Sequence, residues 1–111
     1  MEKLNDYRKI VKQLAADYAR DYTDDDRNVE FIQDDAINHY EVQWMGFDKD
    51  NRRIQGTILH LDILNGKVWL QYNGTDRLIA QELVEAGIPK SDIVLGFQPP
   101  YKRPYTGYAT G

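Results

Sequence analysis

RIQGTILHLDILNGKVWLQYN, residues 53–73, is the most informative part of this chain for its architecture. It contains two runs rich in β-branched, aliphatic and aromatic residues, and the dipeptide Asn65-Gly66 separates them. Asn-Gly favours a type I′ turn, because both central residues of that turn need a positive φ, and such a turn joins two antiparallel strands. The stretch therefore predicts a β-hairpin in which Leu64 pairs with Lys67.

Alternation along this hairpin divides its side chains between two faces of a sheet. Continued along both strands, the register pairs His60 with Gln71 and places Tyr72 on the core face, beside the aliphatic residues. We expect helices to cover this core face. The opposite face, called the second face below, carries the other side chains of the hairpin: His60, Asp62, Trp69 and Gln71.

Residues 39–47 (HYEVQWMGF) predict a strand that pairs with the first strand of the hairpin. A four-residue loop at 49–52 would pair Phe47 with Ile54. Two more polar side chains then join the second face: His39 and Glu41. An apolar patch at the loop end of that face suits contact with a second copy of the chain, and it consists of Met45, Phe47, Ile54 and Ile58.

Two segments have the spacing of helices. In residues 3–22, apolar side chains recur every three or four positions, which predicts an amphipathic helix. The second segment is a predicted helix that begins at its cap, Thr75, and carries Asp76 in its first turn. It ends near Gly87, because glycine suits the left-handed position that follows a helix.

Two short apolar runs complete the predicted sheet. Residues 29–33 predict a short strand in which Val29, Phe31 and Gln33 alternate with Glu30 and Ile32. Residues 92–97 (DIVLGF) lack alternation, which predicts a strand buried on both faces. The fold class is therefore α+β: an N-terminal helix, a mainly antiparallel sheet of about four to six strands, and a second helix packed on the same sheet face. The length predicts a single domain, residues 1–111, with a Pro- and Tyr-rich C-terminal arm at 98–111.

Composition and charge exclude several functional classes. The chain has no cysteine, which excludes disulfides, thiolate zinc sites and cysteine nucleophiles. A net charge of -4 and a pI near 5.0 argue against a broad phosphate-binding surface. No apolar run approaches the ~18 residues that a membrane span needs. Since the polar N-terminus also lacks a signal-peptide core, we expect a cytoplasmic protein.

The second face carries the one cluster of potential functional groups that the sequence predicts. It comprises His39, Glu41, His60, Asp62, Trp69 and Gln71. Two imidazoles and two carboxylates can bind a divalent metal ion or transfer protons, as in a small enzyme or ligand-binding domain. The same residues also form ordinary cross-strand pairs on a partly solvated sheet. Because the sequence has no nucleophile motif, HExxH motif or phosphate loop, we assign no catalytic residue, no metal ligand and no cofactor.

Two surface segments are candidates for contact with a partner. The acidic run within residues 17–35 does not have the spacing of a calcium-binding EF-hand loop, and it contains three consecutive aspartates: Asp24, Asp25 and Asp26. The C-terminal arm interleaves tyrosines with basic residues: Tyr101, Lys102, Arg103 and Tyr105. Such residues can stack on bases and pair with phosphates. Two positive charges on an acidic protein nevertheless favour packing or protein contact over nucleic acid.

Several strings of the sequence together resemble one protein family. They are MEKLNDYRKIV, HYEVQWMGFD, HLDILNGKVWLQYNGTD, LVEAGIPKSDIVLGFQPP and the closing YTGYA. Over nearly its whole length the chain resembles the XisI family, the fdxN element excision controlling factors of cyanobacteria. Residues 63–100 carry the most specific part of the resemblance. Phe47 stands where members often have Trp, and Asp76 stands where they often have Glu.

The resemblance implies a role but no catalytic residue. Family members resemble accessory factors in programmed DNA rearrangement, in which a site-specific recombinase excises an element from the chromosome. They are typically encoded beside XisH, which resembles a nuclease-fold protein. The resemblance therefore implies a non-enzymatic controlling factor that contacts an XisH-type protein, the recombinase or both. Direct binding to nucleic acid is not expected of such an acidic chain.

Overall fold

The computed structural model describes residues 2–25 and 27–111, which form two α-helices, five strands and two short 3-10 helices. In chain order the main elements are α1 (Glu2–Tyr22), β1 (Arg27–Asp34), β2 (His39–Phe47), β3 (Arg53–Leu64), β4 (Lys67–Asn73), α2 (Ile79–Glu85) and β5 (Ile93–Leu95). The 3-10 helices are Lys90–Asp92 and Arg103–Tyr105. None of the described helices combines the length and the apolar character that a membrane crossing needs.

The strands form one sheet in the order β1-β2-β3-β4-β5. The first four pair antiparallel with their chain neighbours, because short loops join them. β5 pairs parallel with β4, and α2 lies in the crossover that such a pair requires. These features confirm the predicted α+β class and the mainly antiparallel sheet.

Both helices pack on the same face of the sheet, as predicted. Val11 from α1 and Leu83 from α2 belong to one buried cluster that includes Tyr40, Leu61 and Val68 from the strands. Burial of one large aliphatic side chain stabilises a fold by about 1.5–3 kcal/mol. The core therefore fixes which face of each strand is left for other contacts.

The hairpin between β3 and β4 has the predicted turn but contains a bulge. Asn65 and Gly66 have φ values of 54° and 76°, and Leu64 pairs with Lys67. Beyond Leu61 the register shifts by one residue, so that His60 pairs with Tyr72 and Leu59 pairs with Asn73. The predicted pairs of His60 with Gln71 and of Leu59 with Tyr72 are therefore wrong. A one-residue bulge moves every later side chain to the other face, which is why Tyr72 is half exposed instead of buried.

The hairpin between β2 and β3 has a five-residue loop, and the predicted pair of Phe47 with Ile54 is wrong. Phe47 pairs with Arg53. The Asp48 carboxylate accepts backbone N–H bonds from residues 50 and 52, and Asn51 has a φ of 61°. The longer loop shifts the pairing of the two strands by one residue, and a one-residue bulge at Ile58 in β3 restores the predicted register beyond it. The predicted opposition of His39 to Asp62 and of Glu41 to His60 is consequently confirmed.

The predicted apolar patch on the second face is not formed as a set. The bulge in β3 leaves Ile58 packed against the core, and Ile54 pairs with Gly46 on the core side. Met45 and Phe47 stay on the second face, where Phe47 is exposed. The patch thus loses two of its four members because alternation breaks at one residue.

α2 begins later than predicted and ends where predicted. Its first residue is Ile79, so neither Thr75 as a cap nor Asp76 in the first turn is correct. The Thr75 hydroxyl instead accepts the N–H of Arg77 in the preceding loop. At the other end Gly87 has a φ of 117°, and the N–H groups of residues 87 and 88 close the helix in a Schellman pattern.

The C-terminal segment closes the edge of the sheet at β5. This strand is shorter than predicted, but Ile93 and Val94 are both fully buried, in agreement with the predicted burial on both faces. Ala109 forms a bridge with Val94 and donates its N–H to the carbonyl oxygen of Ile93 at 2.8 Å. Residues 98–111 therefore fold back along β5 and toward the second face.

Candidate functional site

His39, the first residue of β2, lies between two carboxylates on the second face. Its Nε2 is 2.6 Å from Oε2 of Glu41, and its Nδ1 is 2.8 Å from Oδ1 of Asp62. The strand register produces this arrangement, because Asp62 lies directly opposite His39 and Glu41 lies two residues further along β2 on the same face. The structure thus brings together three of the predicted site residues.

The two carboxylates favour a positive charge on His39. The hydrogen bond to Glu41 raises the pKa of His39, and the contact with Asp62 adds to this, against the opposing effect of burial. Burial would raise the pKa of Glu41, but the hydrogen bonds with His39 and Thr57 outweigh it and lower the pKa. The centre of the cluster is therefore arranged around one cation between two anions.

Neighbouring polar side chains fix both carboxylates. The Thr57 hydroxyl donates to Oε1 of Glu41 at 2.9 Å. The Gln71 amide donates to Oδ2 of Asp62 at 3.1 Å. Gln71 in turn passes over Gly96, where an added Cβ would lie 2.3 Å from Oε1 of Gln71. The carboxylate positions consequently depend on residues from β3, β4 and the turn after β5.

His60 completes the cluster in a different way. Its ring packs edge-on against that of His39, with centroids 4.5 Å apart. Its Nε2 is 3.1 Å from Oδ2 of Asp62, which is ion-pair distance, yet the geometry is not that of a hydrogen bond. One ligand atom from each of His39, His60 and Asp62 lies within 4.8 Å of the other two. Within residues 2–25 and 27–111, these three are therefore the residues that could hold a metal ion.

Trp69 lies beside this cluster and is covered by the C-terminal segment. The Arg103 guanidinium lies 5.1 Å from the Trp69 ring, in cation–π geometry. Arg103 also donates to the backbone carbonyls of Gln98 at 3.0 Å and Gly96 at 3.3 Å. Arg103, predicted as a partner contact, is therefore an internal anchor. The other residues of this segment that were predicted to contact a partner are exposed: Tyr101, Lys102 and Tyr105.

The predicted acidic contact residues lie in the loop between α1 and β1. Asp24 accepts the backbone N–H of Arg27 and forms an ion pair with its guanidinium at 3.1 Å. Asp25 is exposed, and Asp26 lies outside the described residues. Asp24 consequently has a structural role in the loop in addition to any contact with a partner.

The sequence did not predict that Thr57 and Gly96 belong to the site or that Arg103 anchors the C-terminal segment. The face that Thr57 occupies depends on the bulge in β3, and Gly96 joins the site through the long-range packing of β5. The one trace of the bulge in the sequence is the adjacent apolar pair Ile58-Leu59, which interrupts alternation. The contact of Arg103 with Trp69 could not be predicted, because a cation–π pair between distant residues follows no fixed spacing in the sequence.

Comparison with known families decides the classification. The model of the XisI protein family matches residues 1–110. The chain belongs to the XisI family. This result confirms the resemblance found in the sequence.

Two solved structures from Anabaena variabilis are similar to this XisI-family chain. One is a XisI-like protein with 46% identity and a TM-score of 0.88, and the match covers 95% of this chain and 96% of the other. The second is the fdxN element excision controlling factor XisI, with 34% identity, a TM-score of 0.85, and coverage of 98% of this chain and 99% of the other. A comparison with curated proteins gives no match.

Proposed function

We propose that this chain is a controlling factor for the excision of a DNA element and that it acts by contact with another protein. The observation that carries the proposal is the solved relative named fdxN element excision controlling factor XisI. The sequences are 34% identical, and the match covers 98% of this chain. A shared fold alone would not carry a function, but the match at this identity covers both chains nearly end to end.

The charge distribution supports protein contact over direct binding of DNA. The net charge is -4, whereas DNA binding depends on Lys and Arg side chains that neutralise phosphates. Of the two cations in residues 98–111, Arg103 already lies over Trp69 and donates to two carbonyls. Lys102 alone is a weak electrostatic site for a phosphate backbone.

Tyr101 and Tyr105 form the surface that we propose for the contact. They are 71% and 87% exposed, although large aromatic side chains are usually buried at least in part. The backbone that carries them contains three prolines and is anchored by Arg103. A tyrosine on a fixed backbone loses little conformational entropy on binding and supplies a large contact area. Such residues are the usual centres of protein interfaces.

The proposed partner is the XisH-type protein, the site-specific recombinase or both. A recombinase or a nuclease-fold protein that acts on DNA carries a basic surface, which would attract an acidic protein. Asp25 and its neighbours in the loop after α1 would then increase the association rate, and the tyrosines would supply most of the affinity. This role requires no catalysis by the chain itself.

The contact is tested by measuring binding of the full chain to each immobilised partner. The double variant Tyr101→Ala/Tyr105→Ala should bind the true partner about tenfold more weakly, or roughly 1.4 kcal/mol, because it removes two interface aromatics. Phe47→Ala is the matched control, since Phe47 is also an exposed aromatic residue but lies at the opposite end of the sheet. The control should keep the affinity of the unmodified chain.

Three outcomes would contradict the proposal. The first is that the unmodified chain binds neither partner, and the second is that it binds naked duplex DNA tightly at physiological salt. The third is that the tyrosine variant keeps full affinity while Asp24→Asn/Asp25→Asn/Asp26→Asn loses affinity and salt dependence. That result would place the contact in the acidic loop.

A further inference from the structure

One ring nitrogen of the second face lacks a hydrogen-bond partner. Nε2 of His60 is buried, and among the described residues no group forms a hydrogen bond with it. A buried polar atom without a partner destabilises the folded state, so natural structures rarely leave one unsatisfied. Nε2 lies 3.1 Å from Oδ2 of Asp62 without the geometry of a hydrogen bond. A cation bound to both atoms would supply the partner that Nε2 lacks.

The ligand atoms at this position lie slightly closer together than the ligands of a bound metal ion. Tetrahedral bonds of ~2.0–2.2 Å place two ligand atoms roughly 3.3–3.6 Å apart. Nε2 of His60 lies 3.1 Å from Oδ2 of Asp62, and Nδ1 of His39 lies 2.8 Å from Oδ1 of the same carboxylate. Small rotations of the three side chains would therefore bring their ligand atoms to coordination distance.

The outer contacts of the cluster are those of a metal site. Glu41 lies 2.6 Å from Nε2 of His39 and can accept its proton, which leaves Nδ1 as the nitrogen that faces the metal. Thr57 fixes Glu41 at 2.9 Å, and Gln71 fixes Asp62 at 3.1 Å. A carboxylate bound to the far nitrogen of a ligating histidine orients the ring and raises its basicity.

We propose that the second face binds a divalent transition-metal ion through Nδ1 of His39, Nε2 of His60 and the carboxylate of Asp62. Two imidazoles with one carboxylate suit zinc and its first-row neighbours, whereas magnesium and calcium prefer oxygen ligands. The three side chains are 15 to 28% exposed. Solvent therefore reaches the cluster, and a water or another external ligand completes the proposed tetrahedral site. Binding displaces the proton on Nδ1 of His39 to solvent. The site does not depend on the function proposed above.

Calorimetric titration of the tag-free chain with zinc chloride at neutral pH tests the site. The chain has two histidines and no cysteine, so a site with two imidazole ligands must use both histidines. We expect saturable binding of one zinc ion per chain. His60→Ala should weaken the affinity at least tenfold, and Glu41→Gln should weaken it about 10–100-fold through the orientation and basicity of His39. Asp25→Asn, the control for adventitious binding to exposed carboxylates, should leave it unchanged.

Cobalt(II) provides a second measurement that does not depend on affinity. Its visible absorption should show a four- or five-coordinate site with nitrogen ligands, and His60→Ala should abolish that spectrum while far-ultraviolet circular dichroism shows an intact fold. The proposal is overturned if the unmodified chain gives no saturable binding. It is equally overturned if folded His60→Ala binds zinc as tightly as the unmodified chain, or if Asp25→Asn removes the binding.

Discussion

At the scale of single residues, His39 determines the electrostatics of the second face. Both of its ring nitrogens face carboxylates, so the space between Glu41 and Asp62 favours a positive charge. A proton on His39 supplies that charge, and a metal ion held with His60 supplies it in another form. The two cations compete for the same carboxylate, since each uses Asp62.

Gly96→Ala tests whether packing around Gln71 positions Asp62. The new Cβ would lie 2.3 Å from Oε1 of Gln71, so that amide must move and release its hydrogen bond to Asp62. We expect the free energy of unfolding, measured in urea, to fall by about 1–2 kcal/mol. Gly56→Ala is the control, because nothing lies within 4 Å of its added Cβ.

A double-mutant cycle separates this effect from a general intolerance of alanine at position 96. Gln71→Ala removes the side chain that the new methyl group meets, so the double variant should lose less stability than the sum of the two single variants. Strictly additive losses would contradict the proposed packing role of Gln71.

At the scale of elements, the sequence predicts turns and core faces well but not bulges. Asn65-Gly66 determines a turn by local backbone preference, and the register beside it is correct through Leu61 and Leu70. The predicted pairing fails at Gln71, the extra residue of the bulge in β4. A bulge depends on tertiary packing and changes the polar–apolar pattern of the sequence very little, so the pattern does not reveal it. The pairs of His39 with Asp62 and Glu41 with His60 were still predictable, since in the other hairpin the bulge at Ile58 offsets the changed loop. The contacts of Thr57 with Glu41 and of Gly96 with Gln71 were not.

Arg103→Ala tests whether the C-terminal segment is held against Trp69. Loss of the cation–π contact and of two hydrogen bonds to carbonyls should reduce stability by about 1–2 kcal/mol and expose the indole. Acrylamide quenching of tryptophan fluorescence should increase. Lys102→Ala is the matched control, because Lys102 is exposed and contacts the neighbouring Tyr101 ring. Equal quenching in the two variants would show that Arg103 is not the anchor.

At the scale of the whole molecule, one cluster joins the first turns of the chain to the start of β5. The Tyr7 hydroxyl donates to the Asp92 carboxylate, and Lys3 forms an ion pair with the same carboxylate at 2.8 Å. Tyr7 and Asp92 are 85 positions apart in the sequence. The contact therefore holds the N-terminal part of α1 against the short 3-10 helix Lys90–Asp92.

This cluster makes stability depend on acid pH in a defined direction. Lys3 and then Tyr7 lower the pKa of Asp92 below its ordinary value of 3.8. The contribution is present above that value and is lost as the pH falls through the lowered pKa of the folded state. Asp92→Asn should therefore reduce the free energy of unfolding by about 1–2 kcal/mol at neutral pH and by progressively less below pH ~4. Chemical denaturation across that range measures the difference.

The same contact predicts an opposite dependence in alkali. Burial, and then the hydrogen bond to Asp92, raise the pKa of Tyr7 to about 12 from 10.0. A raised pKa contributes stability that is complete below pH 10.0 and is lost as the pH rises toward 12. Tyr7→Phe removes the titrating hydroxyl, so its stability relative to the unmodified chain should improve over that interval. A constant difference between the two proteins from neutral pH to pH 12 would contradict the raised pKa of Tyr7.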